Sequence, residues 1–84
     1  MQFRVTESFA ESYDGLDDED AFSVDGVITR IIGEHDQAWA RRNRVVGDEG
    51  DAWIVLGHSP RGEFKIYWTH LKEGVIVLLA LLYA

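Results

Sequence analysis

The spacing of apolar residues differs between the two halves of this 84-residue chain. From Phe9 to Trp39 the apolar positions recur every three or four residues, which is the period of an amphipathic helix. From Trp53 onward, apolar residues alternate with polar ones or form an unbroken run, as they do in strands. Helices followed by consecutive strands are typical of an α+β domain.

Two helices are predicted in the first half, behind a short strand from Gln2 to Val5. Thr6 is suited to cap the first helix, because its hydroxyl can accept a hydrogen bond from a backbone N–H of the first turn. This helix is expected to end near Gly15. The second helix is predicted from about Asp18 to Asp36, where the apolar spacing of three and four continues.

Four acids, Asp17-Asp18-Glu19-Asp20, stand where the second helix begins. Acidic side chains are favoured there by the partial positive charge of the exposed N–H groups. We interpret the run as a solvated helix start, and a functional acidic patch is the alternative.

The second half is predicted to contain three strands. The polar segment from Arg41 to Asp51 has neither period and is interpreted as a flexible connection. Strands are expected at 53–56, 63–69 and 75–82, separated by the turn sequences 59–62 and 71–74. A buried helix competes for 75–82, but the β-branched start of that run favours a strand. The predicted order is β-α-α-β-β-β, with both helices packed on one face of a twisted antiparallel sheet.

A chain of this length is expected to form a single domain, residues 1–84, which buries about 60–65% of the surface of the unfolded chain. There is no cysteine, so neither a disulfide nor a zinc ribbon can support the fold. The histidines show no metal-ligand spacing, and no cofactor motif is present. We therefore expect no metal and no small-molecule cofactor, and a core that provides the stability.

The chain starts without the basic-then-apolar pattern of a secretory signal. Its most apolar run, 75–82, is far shorter than the roughly 20 residues that cross a bilayer. The expected location is the cytoplasm, without a membrane partner.

The net charge of −7 is unevenly distributed. Residues 1–36 carry ten acids against two arginines, and residues 37–84 carry five acids against six basic residues. Broad nucleic-acid affinity comes mostly from cations, so the overall acidity argues against it. A local basic face in the second half remains compatible with the sequence.

The basic residues near the predicted sheet are the candidate functional residues. If the sheet brings them together, Arg61 and Lys65 could bind phosphate oxygens. Tyr67 or the histidines could supply stacking or proton transfer. The further candidates for contact with RNA or a protein partner are Arg41, Arg42, Arg44, Tyr67 and His58. The alternative is that these cations offset the acidic helices or keep the surface soluble.

Two further polar residues are assigned structural roles. His35 falls on the apolar stripe of the second helix and is expected to be a packed or boundary residue. Tyr83 is expected to anchor the last strand.

The order of elements, with Ala52-Trp53-Ile54-Val55-Leu56, Gly62-Glu63-Phe64-Lys65-Ile66-Tyr67-Trp68 and the apolar strand from Val75, resembles the RelE/ParE family of bacterial toxins. These are β-α-α-β-β-β proteins of type II toxin–antitoxin pairs. The resemblance implies an antitoxin-like protein partner, which would lie across the sheet and helices. An acidic stretch of this partner could contact the basic cluster Arg41-Arg42-Asn43-Arg44.

The resemblance also implies a role for Lys65, which falls where the ribosome-dependent ribonucleases of the family carry a phosphate-contacting arginine. Ile54 and Leu56 fall around the positions of the nucleases' lysines on the preceding strand. The implied function is therefore an altered ribosome-dependent mRNA ribonuclease, a gyrase-directed relative that cleaves nothing, or a degenerate member kept for complex formation.

A different class of function follows from the acidic half of the chain. The helical face from Glu7 to Asp25 could imitate nucleic-acid charge and occupy the basic site of a partner, as small inhibitor proteins can. Charge reversal separates the two classes. Replacing Arg61 and Lys65 with Glu should abolish the toxin function, and replacing Asp17, Asp18 and Asp20 with Lys should abolish acidic binding.

Overall fold

A computed structural model describes residues 3–47, 50–71 and 74–84. The predicted strand residue Gln2, the connection residues Asp48 and Glu49, and the turn residues Lys72 and Glu73 lie outside the described part. The elements are β1 (Phe3–Val5), α1 (Glu7–Asp14), α2 (Asp18–Glu34), a 3-10 turn (Ala38–Arg41), β2 (Asn43–Gly47), β3 (Gly50–Ser59), β4 (Gly62–His70) and β5 (Ile76–Tyr83).

The five strands form one sheet in the order β1-β5-β4-β3-β2. Both helices lie on one side of it, which confirms the predicted α+β architecture. All neighbouring strands are antiparallel except β1, which runs parallel to β5. The sheet is therefore mixed and not wholly antiparallel.

The segment predicted as a flexible connection contains an additional strand, and this interpretation was wrong. Asn43–Gly47 forms the edge strand β2, paired with β3 from Asn43 opposite Ile54 to Gly47 opposite Gly50. Val45 and Val46 supply β-branched residues, but every residue of β2 is exposed. An exposed strand needs no apolar alternation, so its strand conformation comes from pairing with β3.

Thr6 caps α1 as predicted and also attaches it to the sheet. Its hydroxyl oxygen accepts from the Phe9 N–H at 3.1 Å and donates to the Leu79 carbonyl at 2.6 Å. The Thr6 N–H donates to the Leu78 carbonyl at 3.1 Å. Among the described residues, neither helix is long and apolar enough to cross a membrane.

The hydrophobic core lies between the helices and one side of the sheet. Both helices bury their apolar stripes against the inward residues of the three central strands. The core consists of Phe9, Val24, Ile28, Ile31, Ala40, Trp53, Val55, Phe64, Ile66, Trp68, Ile76, Leu78 and Leu81.

A bulge in β5 keeps its apolar residues aligned with this core. Trp68 pairs with Leu78, but the preceding Tyr67 pairs with Ala80, so Leu79 is an extra residue in β5. If Leu79 were instead paired regularly, with no bulge, Leu81 would point away from the helices, since alternate residues of a strand face opposite sides. The run predicted as a strand in preference to a buried helix is thus a strand.

Gly57 in β3 gives the core room for a ring. It stands opposite Phe64 of β4, whose side chain is fully buried. A Cβ atom at position 57 would overlap the Phe64 ring. The ring therefore lies across the glycine backbone, as in strands where an aromatic residue covers a neighbouring glycine.

Candidate functional site

The candidate residues are distributed over two sides of the sheet. One side packs on the helices, and we call the opposite side the outer face. Because alternate strand residues face opposite sides, the register assigns the residues of the outer face. In β3, β4, β5 and β1 they are Ala52, Ile54, Leu56, His58, Glu63, Lys65, Tyr67, Thr69, Val77, Ala80, Leu82 and Arg4.

Arg61 and Lys65, the two candidates for phosphate contact, are not brought together. Arg61 lies in the turn between β3 and β4, with its guanidinium 5.0 Å from the ring centre of Tyr83. Tyr83 pairs with Phe64 and so faces the helices. Lys65 is exposed on the outer face, paired with Leu56 on one side and Leu82 on the other. A phosphate group bound by both side chains does not fit this arrangement.

Arg41 is held by the protein's own aromatic residues. Its guanidinium lies 4.6 Å from the ring centre of Trp53 and 5.6 Å from that of Trp68, a cation–π arrangement. Its Nε donates to the backbone carbonyl of His35 at 2.6 Å. His35 is half-buried, edge-on to Trp68, so it is the packed residue that the sequence predicts.

Arg42 and Arg44 are the more accessible members of the basic cluster. Arg42 is exposed beside the 3-10 turn, and Arg44 lies in the edge strand β2. Arg44 approaches Asp51 at 3.7 Å, with more than a third of each side chain exposed. Exposed ion pairs of this kind contribute little stability, so a partner's carboxylate could compete for Arg44. Arg41, Arg42 and Arg44 thus occupy three different environments.

His58 and Tyr67 share the outer face with Lys65. His58 is exposed and pairs with Glu63 near the turn, while Tyr67 is half-buried and pairs with Ile54. These three of the seven candidates lie on the outer face. The strand neighbours of Lys65 and Tyr67 are aliphatic, so the middle of the outer face is mainly apolar, and polar residues lie towards its ends.

A buried polar network joins the start of α2 to the end of the sheet. Asp20 is only 4% exposed, and its Oδ1 accepts from the Ser59 hydroxyl at 2.8 Å and from the Arg61 N–H at 2.9 Å. The Ser59 and Tyr83 hydroxyl oxygens are 2.8 Å apart, so Tyr83 anchors the last strand as predicted. The hydrogen bond from Ser59, supported by that from Arg61, lowers the pKa of Asp20 below its ordinary value.

The sequence interpretation missed Asp20 by reading the acidic run as solvated. Asp17 is the N-cap and accepts from the Asp20 N–H at 3.0 Å, as expected of an acid at a helix start. Asp20 differs because it stands four residues before Val24 and eight before Ile28, on the buried stripe of α2. That spacing was the signal that could have separated it from Asp18.

Lowering the pH is expected to destabilise the protein partly through Asp20. Since the folded pKa is below the unfolded one, the unfolded state binds more protons, and stability rises with pH. The contribution of Asp20 is complete above its ordinary value of 3.8 and is lost as the pH falls through its folded pKa. Urea denaturation between pH 6 and pH 2.5 should show a smaller loss of stability for Asp20→Asn than for the wild type.

Asp36→Asn is the matched control, because Asp36 is exposed beyond the end of α2. If Asp20→Asn kept the full pH dependence of the wild type, the network would not depend on the Asp20 charge.

Comparison of the chain with protein-family models, with curated proteins and with solved structures gave no match. Within 3–47, 50–71 and 74–84, no three His, Asp or Glu side chains are grouped so that they could hold a metal ion.

Proposed function

We propose that this protein is the toxin component of a type II toxin–antitoxin pair and acts through protein contact without cleaving RNA. The observation that supports it is the arrangement of elements. A helix pair follows the first strand and precedes consecutive antiparallel strands, as the resemblance to RelE/ParE toxins implies. The strand β2 is an addition at the edge and leaves that order intact.

The positions of the basic residues favour the non-cleaving form. Cleavage of RNA by side chains needs a general base, a general acid and phosphate-binding cations within reach of one phosphodiester. Arg61 lies on the helix side of the sheet, while Lys65 lies on the outer face between two leucines. The net charge of −7 also opposes docking onto ribosomal RNA.

A protein partner fits the accessible cations better than RNA does. Arg42 and Arg44 lie at and beside the free edge of β2, where an acidic, antitoxin-like segment could reach both. Guanidinium groups bind carboxylates in a bidentate manner, which gives such a contact geometric specificity.

Inducible expression in a bacterial host tests the proposal. Growth arrest is expected, without messenger-RNA cuts near the ribosomal A site. The double variant Arg61→Glu, Lys65→Glu should still arrest growth, whereas a ribonuclease that uses these cations would lose activity. Cuts that disappear in the double variant would establish the nuclease alternative, and absence of arrest by folded, expressed protein would reject the toxin assignment.

The acidic binding module is a second candidate, favoured by the exposure of nine of the ten acids in residues 1–36. Charge reversal at 17 and 20 would be a poor test of it, because Asp17 caps α2 and Asp20 is buried. Lysine at Glu7, Glu11 and Glu19 reverses exposed charges only. Loss of the growth effect in this triple variant, with the Arg61 and Lys65 variant active, would favour the acidic module.

A further inference from the structure

We propose that the outer face is the interface of a symmetric homodimer, in which a second copy of this chain covers it. This inference goes beyond the proposed function and does not depend on whether the protein arrests growth. It is based on the apolar character of the outer face, on its charge compared with the rest of the surface, and on its size.

The middle of the outer face carries apolar residues where a solvated sheet would carry polar ones. Antiparallel sheets with one side in water normally alternate apolar inward and polar outward residues. Here β3 presents Ile54 and Leu56 outward, and β5 presents Val77, Ala80 and Leu82. Leu56 is 62% exposed and Leu82 is 51% exposed. A contiguous apolar patch of this kind on a small protein marks an interaction surface.

The central strand β4 adds amphipathic side chains to the patch. Lys65 lies between Leu56 and Leu82, so its aliphatic stem can cover apolar surface while the ammonium reaches beyond it. Tyr67, half-buried beside Ile54, offers a ring and a hydroxyl. Tyrosine is enriched in the cores of protein interfaces for this reason.

The distribution of charge favours dimerisation through the outer face over dimerisation through the acidic helical side. The helical side carries nine exposed acids of residues 1–36. The described charged residues of the outer face are Arg4, Glu63 and Lys65, which gives a net charge of +1. Sheets packed face to face are about 10 Å apart, and the helices lie behind them. The acidic helical layers of the two copies are then separated by more than the Debye length of about 8 Å at physiological salt.

The outer face is also complementary to itself. A two-fold interface must present the same patch from both copies, with each residue type meeting its complement. A two-fold axis could lie between the two sheets, perpendicular to the strands and at the level of Ile66. It would place Leu56, Lys65 and Leu82 of one copy opposite Ile54, Tyr67 and Ala80 of the second copy, in that order. Leucines then meet aliphatic residues, and each Lys65 ammonium meets a tyrosine.

The molecule is large enough for an interface of standard size. A standard interface buries roughly 800 Å² per partner. That is about one seventh of the 5578 Å² surface of this protein, which one face of a small two-layer domain can provide. Aligned packing of two sheets with interdigitating side chains is a common way to bury such faces.

Sedimentation equilibrium and light scattering on the purified chain, from about 1 to 200 μM, test the proposal. The expected mass is twice the 9.6 kDa of one chain. Leu56→Glu and Leu82→Glu should each raise the dimer dissociation constant by about 30-fold or more, since each places a charge in the centre of the interface. Both positions are exposed in the single chain, and circular dichroism would verify that the variants are folded.

Phe22→Glu is the matched control. Phe22 is 80% exposed on α2, so the same kind of substitution alters an apolar residue on the opposite side of the molecule. It should leave the dissociation constant unchanged. A wild-type protein that is monomeric over the whole range would overturn the proposal, and so would a dimer that Phe22→Glu weakens while the outer-face variants do not. Binding of a different protein to a monomeric outer face would replace the second copy as its occupant.

Discussion

Replacing Trp68 with alanine is expected to lower the free energy of unfolding by about 3–5 kcal/mol. Trp68 is fully buried against the end of the helical layer, and its Nε1 donates to the Ala40 carbonyl at 3.2 Å. The truncation leaves a cavity and removes the indole donor from a buried carbonyl. A domain of this size has about 4–13 kcal/mol of stability in total, so the variant should be largely unfolded under mild stress.

Urea denaturation followed by far-ultraviolet circular dichroism measures the effect. Trp68→Phe is the control that keeps most of the ring volume but loses the indole donor, and it should lose clearly less stability than the alanine variant. A loss below 1 kcal/mol for Trp68→Ala would show that the ring does not organise this end of the core.

Introducing valine at Gly57 is expected to cost roughly 3 kcal/mol, at the upper end of the usual range for overpacking. The new Cβ would overlap the Phe64 ring, which is fully buried and has little space into which to move. Phe64 pairs with Gly57 of β3 on one side and with Tyr83 of β5 on the other, so a backbone shift of β4 would also disturb its pairing with β5. Thermal and urea unfolding of Gly57→Ala and Gly57→Val should show an increasing loss with side-chain size.

A double-mutant cycle identifies the cause. Phe64→Leu alone should destabilise the protein, because it shrinks a fully buried side chain. Combined with Gly57→Ala it should cost less than the sum of the two single changes, since the smaller side chain leaves room for the methyl group. Strict additivity would contradict the close approach of the ring to the glycine.

The periodic elements were the predictable part of this fold. The stripes of α1 and α2 and the alternation of 63–69 are consequences of burial on one side, which leaves a pattern in the sequence. The edge strand β2 has no buried side, so Asn43–Gly47 carried no such pattern. Pairing of β1 parallel to β5 joins residues more than 70 positions apart, and no local pattern specifies it.

The candidate site was less predictable from the sequence. The side of the sheet on which a residue lies also depends on contacts with residues outside its own strand. Lys65 follows the alternation of β4, but Arg61 belongs to a turn whose direction is set by its contacts with Asp20 and Tyr83. Arg41 could be recognised as a cation from the sequence. Its position over Trp53 depends on the path of the 3-10 turn.

The pairing of β1 with β5 has a consequence for synthesis on the ribosome. Thr6 reaches Leu79 across 73 positions of the chain, and β5 lies between β1 and the rest of the sheet. At about 5–20 residues per second, translation delivers β5 about 4–15 seconds after Thr6. Throughout that interval the emerging helices lack β5, so nascent chains have time to meet chaperones before the sheet is complete.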